Sequence, residues 1–348
     1  MRTRLFIAIA HFCILTTGWA QDYHFSQFDA NPFYINPALT GERLTDYKGI
    51  QFNANARGQI AQYTKSPSSY NSVAVGADEP INSKFSLGQY VYDNKSSTGS
   101  FNTFGFILSG AHKIIDQSAD NQVNHNLSVG IQFGIMNSSI SPGKLTYDAQ
   151  YSVNSSDGFD RSIPSGETFA RQSYFNFNVN FGVYYRVTSK NKKLSAFGGF
   201  SIYNITQPNQ SFLGNGTYSP LPLRFNLHGG AICQVTKLLS VVPQLLYMNQ
   251  AKATELNIST LLFYKLEGTF YEVIYGLGVR NKDAVIFQSG LRVKGIVFRI
   301  SYDLITNYQK PYRNKGLEFS LVYTLKKRSK NTGTQQESAP SIPSPPQP

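Results

Sequence analysis

Apolar and polar residues alternate strictly along most of the chain, which is the period of a strand with two unlike faces. Leu127, Val129, Ile131, Phe133 and Ile135 alternate with Ser128, Gly130, Gln132 and Gly134. Phe175, Phe177, Val179, Phe181 and Val183 oppose Asn176, Asn178, Asn180 and Gly182. Near the end, Ile296, Phe298, Ile300 and Tyr302 face away from Val297, Arg299, Ser301 and Asp303, and Leu317, Phe319, Leu321, Tyr323 and Leu325 away from Glu318, Ser320 and Thr324. Read this way, strands are predicted near 46–57, 69–78, 85–93, 101–114, 125–136, 173–187 and 193–203. Seven more follow near 222–236, 238–249, 255–266, 270–280, 283–292, 295–305 and 316–326.

Alternation also fits a secreted sandwich, so length and connections must decide. Many segments run for about 9 to 13 residues, longer than the strands of most soluble sheets and enough to cross a bilayer at a tilt. A barrel in the outer membrane alternates short periplasmic turns with longer outer loops. Counted from a periplasmic N-terminus, the odd connections include 58–68, 137–172, 204–221 and 306–315. The even ones include 188–192, Lys237, 267–269 and Val293-Lys294, while the odd connections 250–254 and 281–282 are short exceptions. The pattern predicts an all-β, transmembrane antiparallel barrel of about fourteen strands.

Composition agrees once the alternation is known. Mean hydropathy is only −0.27, because a lipid-facing strand shows hydrocarbon every second residue and the signal averages out. Aromatics reach 14% and charged residues only 15%, below the charged share of an ordinary soluble domain. Arg2 and Arg4, an apolar stretch Leu5 to Leu15, and the small residues of Gly18-Trp19-Ala20 predict a cleaved Sec-type signal peptide over 1–20, cut between Ala20 and Gln21. Without it the only cysteine is Cys233, so no internal disulfide is expected. Losing Arg2 and Arg4 takes the formal charge from +12 to +10. No basic stripe interleaves with aromatics, so nucleic acid is not an expected partner.

No catalytic set emerges. His24, His112, His125 and His228 are scattered over different strands and turns, without metal-site spacing. Serine is too frequent for a Ser/His pairing to be specific. Asp148, Asp157 and Asp160 do not match a calcium-loop spacing and read as solvated loop acids. Cys233 on an apolar face reads as a small hydrophobe. No enzymatic activity, cofactor or metal is expected. After Leu325 the chain turns basic, Lys326-Lys327-Arg328-Ser329-Lys330, then becomes rich in Ser, Pro and Gln. The stretch 327–348 is expected to be a disordered periplasmic tail able to reach peptidoglycan or a periplasmic protein.

Residues 21–45 differ from the rest. Phe25, Phe28, Phe33 and Tyr34 carry no strand alternation, and the steps Asn31-Pro32 and Asn36-Pro37 impose bends. Such a segment packs against something: it plugs the lumen or sits at the periplasmic rim of the barrel over 46–326. The run His24-Phe25-Ser26-Gln27-Phe28, then Asn31-Pro32 and Asn36-Pro37-Ala38-Leu39-Thr40-Gly41, resembles the opening of the PorP/SprF family of the Bacteroidetes type IX secretion and gliding machinery. Gln207-Pro208-Asn209-Gln210-Ser211-Phe212-Leu213 and the strand from Gly316 are similar too, so the resemblance covers roughly Asp22 to Leu325. It implies a non-enzymatic outer-membrane barrel that anchors secretion subunits or a secreted adhesin. It also marks His24, Phe25, Ser26, Gln27, Asn31, Pro32, Asn36 and Pro37 as candidates for partner docking or for bracing the barrel mouth. The alternative is a porin or transporter for a small, apolar solute, suggested by the polar inward face.

Overall fold

The computed structural model describes residues 24–42, 49–61, 69–96, 100–119, 123–156, 158–191, 193–213, 218–306 and 314–326. The signal peptide and its Ala20/Gln21 junction, Asp157 and the tail 327–348 lie outside these residues. The first seven strands are β1 (Gly49–Ala61), β2 (Ser69–Pro80), β3 (Phe85–Lys95), β4 (Phe101–Ala119), β5 (Val123–Ile140), β6 (Ser173–Ser189) and β7 (Leu194–Tyr203). Then come β8 (Arg224–Gln234), β9 (Leu239–Gln250), β10 (Ala253–Lys265), β11 (Tyr271–Arg280), β12 (Ala284–Val293), β13 (Ile296–Ile305) and β14 (Asn314–Lys326). Neighbours in sequence pair antiparallel, and β1 pairs with β14 from Gly49↔Lys326 to Ala61↔Asn314. The sheet is a closed fourteen-stranded barrel without an edge. No helix among the described residues is long and apolar enough to cross a membrane.

Alternation sorts the side chains as a barrel in lipid requires. On β5, Asn126, Ser128, Gln132 and Ser138 are buried inward, whereas Ile131, Phe133 and Ile135 stand exposed outward. On β13 and β14 the inward set is Arg299, Ser301, Asp303, Glu318 and Ser320, and the outward set is Phe298, Tyr302, Phe319 and Leu321. A continuous wall of exposed Phe, Leu and Ile is a liability in water and is what hydrocarbon solvates. Aromatics ring both ends of that wall: Tyr70, Phe104, Phe175 and Tyr247 at one, Phe85, Tyr185, Tyr264 and Tyr323 at the other. Amphipathic rings of this kind sit at the two membrane interfaces.

The expected asymmetry of the connections is present. Residues 141–172 and 204–223 emerge at the same end and pack together, with an isolated bridge between Phe169 and Leu213. Phe212 lies against Phe101 (5.9 Å) and Tyr174 (4.8 Å). At the other end the strands turn within a few residues, as at 81–84 and 294–295. The strand expected over 101–114 runs on to Ala119, and its partner starts at Val123 and continues to Ile140. A register shift between Lys113 and Ile115 puts Ile114 and Ile115 both outside, which breaks the alternation and masks the lower half of β4 in the sequence.

Candidate functional site

The site is the barrel interior, and residues 24–42 occupy it. Pro32 opens a single helical turn, α1 (Pro32–Ile35), where its missing N–H costs nothing. Pro37 opens a 3-10 turn at Pro37–Leu39, and the Asn36 side chain accepts a hydrogen bond from the Ala38 N–H (2.9 Å). From Phe25 to Glu42 every residue except Asp29 is buried. The segment runs lengthwise: its N-terminal end meets the strand ends beside the long loops, and Glu42 meets the ends beside the short turns.

At the long-loop end, Arg57 of β1 pairs with Asp303 of β13 (2.7 Å) and Glu318 of β14 (3.2 Å). Arg280 of β11 pairs with the same Asp303 (2.7 Å) and with Asp283 (2.6 Å). Ser26 is locked into this network. Its hydroxyl donates to Asp303 (2.8 Å) and accepts from both Arg57 and Arg280, and its N–H donates to Glu318 (2.7 Å). The Gln27 amide donates to the Glu318 carbonyl (3.0 Å) and to Ser301 (3.2 Å). His24 stands 3.7 Å from Glu255 and within hydrogen-bond reach of Gln59 (3.2 Å). Buried charges persist only when paired and hydrogen-bonded, so the network holds the segment as firmly as the segment completes the network.

Lower down, the wall bonds to the backbone of the segment. Tyr203 donates to the Phe33 carbonyl (2.7 Å), Ser201 to the Ile35 carbonyl (2.6 Å) and Asn226 also to Ile35 (2.9 Å). Arg224 lies over the rings of Tyr34 (4.7 Å) and Tyr203 (4.3 Å), and Phe33 stacks on Tyr90 (5.5 Å). Asn31 donates to the Tyr90 hydroxyl (3.2 Å) and Arg299 pairs with Asp29 (2.7 Å). Asn36 donates to the Val183 carbonyl (2.8 Å) and to His228 Nε2 (3.1 Å), which fixes that histidine as an acceptor there. Near the short turns Thr40 meets Ser109 (2.6 Å), and Glu42 pairs with Arg186 (2.9 Å) and faces Lys113 (3.8 Å). Gly130 and Gly182 admit this path: a Cβ at Gly130 would overlap backbone atoms of Pro37 and Ala38, and one at Gly182 would overlap the Asn36 side chain.

A family model described as "Type IX secretion system membrane protein PorP/SprF" matches residues 18–323. The chain belongs to the PorP/SprF family. No curated protein matches the chain. Similar solved structures include a Pseudomonas aeruginosa FadL homologue, 13% identical over 84% of this chain and 92% of that one, with a TM-score of 0.46. The Pseudomonas putida toluene transporter TodX is 12% identical over 88% of this chain and 95% of that one, with a TM-score of 0.47. Membership in a family of secretion-system membrane proteins, on a closed barrel with an apolar outside, places this PorP/SprF protein in the outer membrane.

The structure gathers all eight motif residues singled out in the sequence: Phe25, Ser26, Gln27, Asn31, Pro32, Asn36 and Pro37 are buried in the lumen, and His24 alone keeps part of its surface. The segment lies inside the barrel, with His24 to Gln27 at the long-loop end, away from the short turns. His112 and His125 face outward, stacked on Phe85 (4.3 Å) and against Tyr185, and Cys233 is half-buried on the outer face. Asp148 is exposed and Asp160 half-buried in the loop 141–172, where the Ser162 hydroxyl and N–H hold the Asp160 carboxyl below its ordinary range. Among the described residues no three His, Cys, Asp or Glu side chains group as a metal site. Sequence reasoning missed Arg57 and Arg280; a lone charge on an inward strand face is the signal, since such a charge needs a partner.

Proposed function

We propose that this barrel is a non-conducting anchor: an outer-membrane component of the type IX secretion and gliding machinery that holds secretion subunits or a surface adhesin. One observation carries the reading, namely that the lumen is filled along its length by residues 24–42 bonded to the wall. A conduit needs free polar wall, and here the wall of β6, β7, β8, β13 and β14 bonds to the segment. The motif residues hold the segment in place; His24, with a side chain 20% exposed, lies nearest the long-loop mouth. The chain enters the membrane after signal-peptide cleavage and performs no catalysis. β14 ends at the short-turn rim, so the tail 327–348 starts in the periplasm, where cell-wall polymer or a periplasmic subunit lies within its reach.

Affinity purification of the tagged mature chain after mild detergent extraction recovers secretion subunits or an adhesin. Repeated recovery of the barrel alone, even after cross-linking, counts against the anchor. The alternative, a porin or transporter, requires the segment to withdraw. Steady single-channel conductance of the wild-type chain in a planar bilayer would establish it and remove the anchor's physical basis.

A further inference from the structure

The two rims differ in charge. At the short-turn end Lys84 closes the β2–β3 turn, Lys190 and Lys193 flank the β6–β7 turn, Lys237 sits in the β8–β9 turn and Lys294 in the β12–β13 turn. All five are exposed, and none forms an ion pair among the described residues. Among the described residues of these turns the acid is Glu267, between β10 and β11, with Lys265 beside it. At the other rim, Lys144, Arg161 and Arg171 in the loop 141–172 are balanced by Asp148, Asp160 and Glu167, 204–223 carries no charge in its described part, Lys252 stands in the β9–β10 turn, and Lys282 stands beside Asp283 in the β11–β12 turn. The five lysines therefore form a cationic collar at the short-turn end.

Their distribution says what they meet. They stand on opposite sides of the closed barrel, at the turns that follow β2, β6, β8 and β12. A protein docking from one side would reach a patch, whereas the lipid annulus reaches the whole circumference. Each lysine also stands within a few residues of the outward apolar band: Lys84 precedes Phe85, Lys193 precedes Leu194 and Lys294 lies two before Ile296. That is headgroup depth, where a cation reaches phosphate while its stem lies along hydrocarbon. We propose that this collar binds anionic phospholipid headgroups of the periplasmic leaflet and so fixes the depth and orientation of the barrel. The proposal does not depend on which secretion partner is bound.

The full chain is placed in nanodiscs of mixed phosphatidylcholine and phosphatidylglycerol, and retained lipid is read by native mass spectrometry. Phosphatidylglycerol is expected to be enriched around the wild type, with the enrichment falling as salt rises. Each single change, such as Lys237→Gln, is expected to lower the enrichment by up to about fivefold at low ionic strength. The combined Lys84→Gln, Lys190→Gln, Lys193→Gln, Lys237→Gln and Lys294→Gln chain should lose it, whereas Lys144→Gln with Lys252→Gln at the other rim should keep it. Heat-dependent mobility in detergent gels confirms that each variant is folded. Unchanged enrichment in the combined variant, or equal loss in the long-loop control, overturns the proposal. So does an acidic periplasmic protein that cross-links to the collar while lipid retention stays the same.

Discussion

Gly130→Ala separates the packing of the lumen segment from the folding of the barrel around it. Gly130 is on β5, and its hydrogen-bond ladder continues on both sides through Ala111 and Gly182. Alanine is an ordinary strand residue, so the wall accommodates it. The segment cannot: the new methyl overlaps the Pro37 carbonyl carbon and the Ala38 nitrogen, which are backbone and have no rotamer to yield. Lifting the turn strains or breaks the Asn36 bonds to Val183 and His228 and the Thr40 contact with Ser109. At about 1 kcal/mol per buried hydrogen bond, with overpacking in the range of 1–3 kcal/mol, local stability of the segment falls by about 2 kcal/mol. That raises the open population roughly thirtyfold. The assay is thiol labelling of Ala30→Cys in a Cys233→Ser background, since Ala30 is buried in the segment and away from Gly130. The labelling rate should rise by that factor while heat-dependent gel mobility stays that of a folded barrel. If Gly130→Ala labels at the parent rate, the turn is not packed against β5 as described and the reasoning fails.

Other perturbations test other parts of the network. Arg57→Met leaves Glu318 and half of the Asp303 pairing uncompensated and should destabilise the folded barrel by about 3–5 kcal/mol in denaturant titration; adding Glu318→Gln should recover part of that loss. Asn36→Ala removes the bonds to Val183 and His228 and the acceptor for the Ala38 N–H, and should weaken the segment by about 2 kcal/mol, read by the same Ala30→Cys labelling. Phe133→Arg puts a charge on the outward face of β5 and should cost about 2–4 kcal/mol in lipid vesicles, whereas Tyr151→Arg in the exposed loop should leave the denaturation midpoint unchanged.

The architecture was legible because lipid and lumen impose unlike demands on alternate residues, and β5, β6, β13 and β14 carry both signatures without interruption. It was least legible at Lys113 to Ile115, where an irregular register turns two isoleucines the same way. The N-terminal segment announced itself through aromatics without a period and two Asn-Pro steps. Its direction through the barrel could not be read, because nothing local says which strand end Ser26 meets. The charge network was invisible for the same reason: Arg57 and Glu318 are register partners only because β1 closes onto β14. No periodicity links residues so far apart, whereas a single ring closure does.

A polar inward face is the one feature that both functional readings share, and sequence alone assigns it to water. What separates an anchor from a conduit is the identity of the groups that satisfy that face. In an open pore, Tyr203, Ser201, Asn226 and Arg224 would spend their donors on solvent. Here the carbonyls of Phe33, Tyr34 and Ile35 accept them, and those carbonyls are free because α1 is too short to use them itself. The proline steps that stop the segment from becoming a longer helix are therefore what make it a partner for the wall. A lengthened helix would satisfy its own backbone and leave these wall donors without their acceptors.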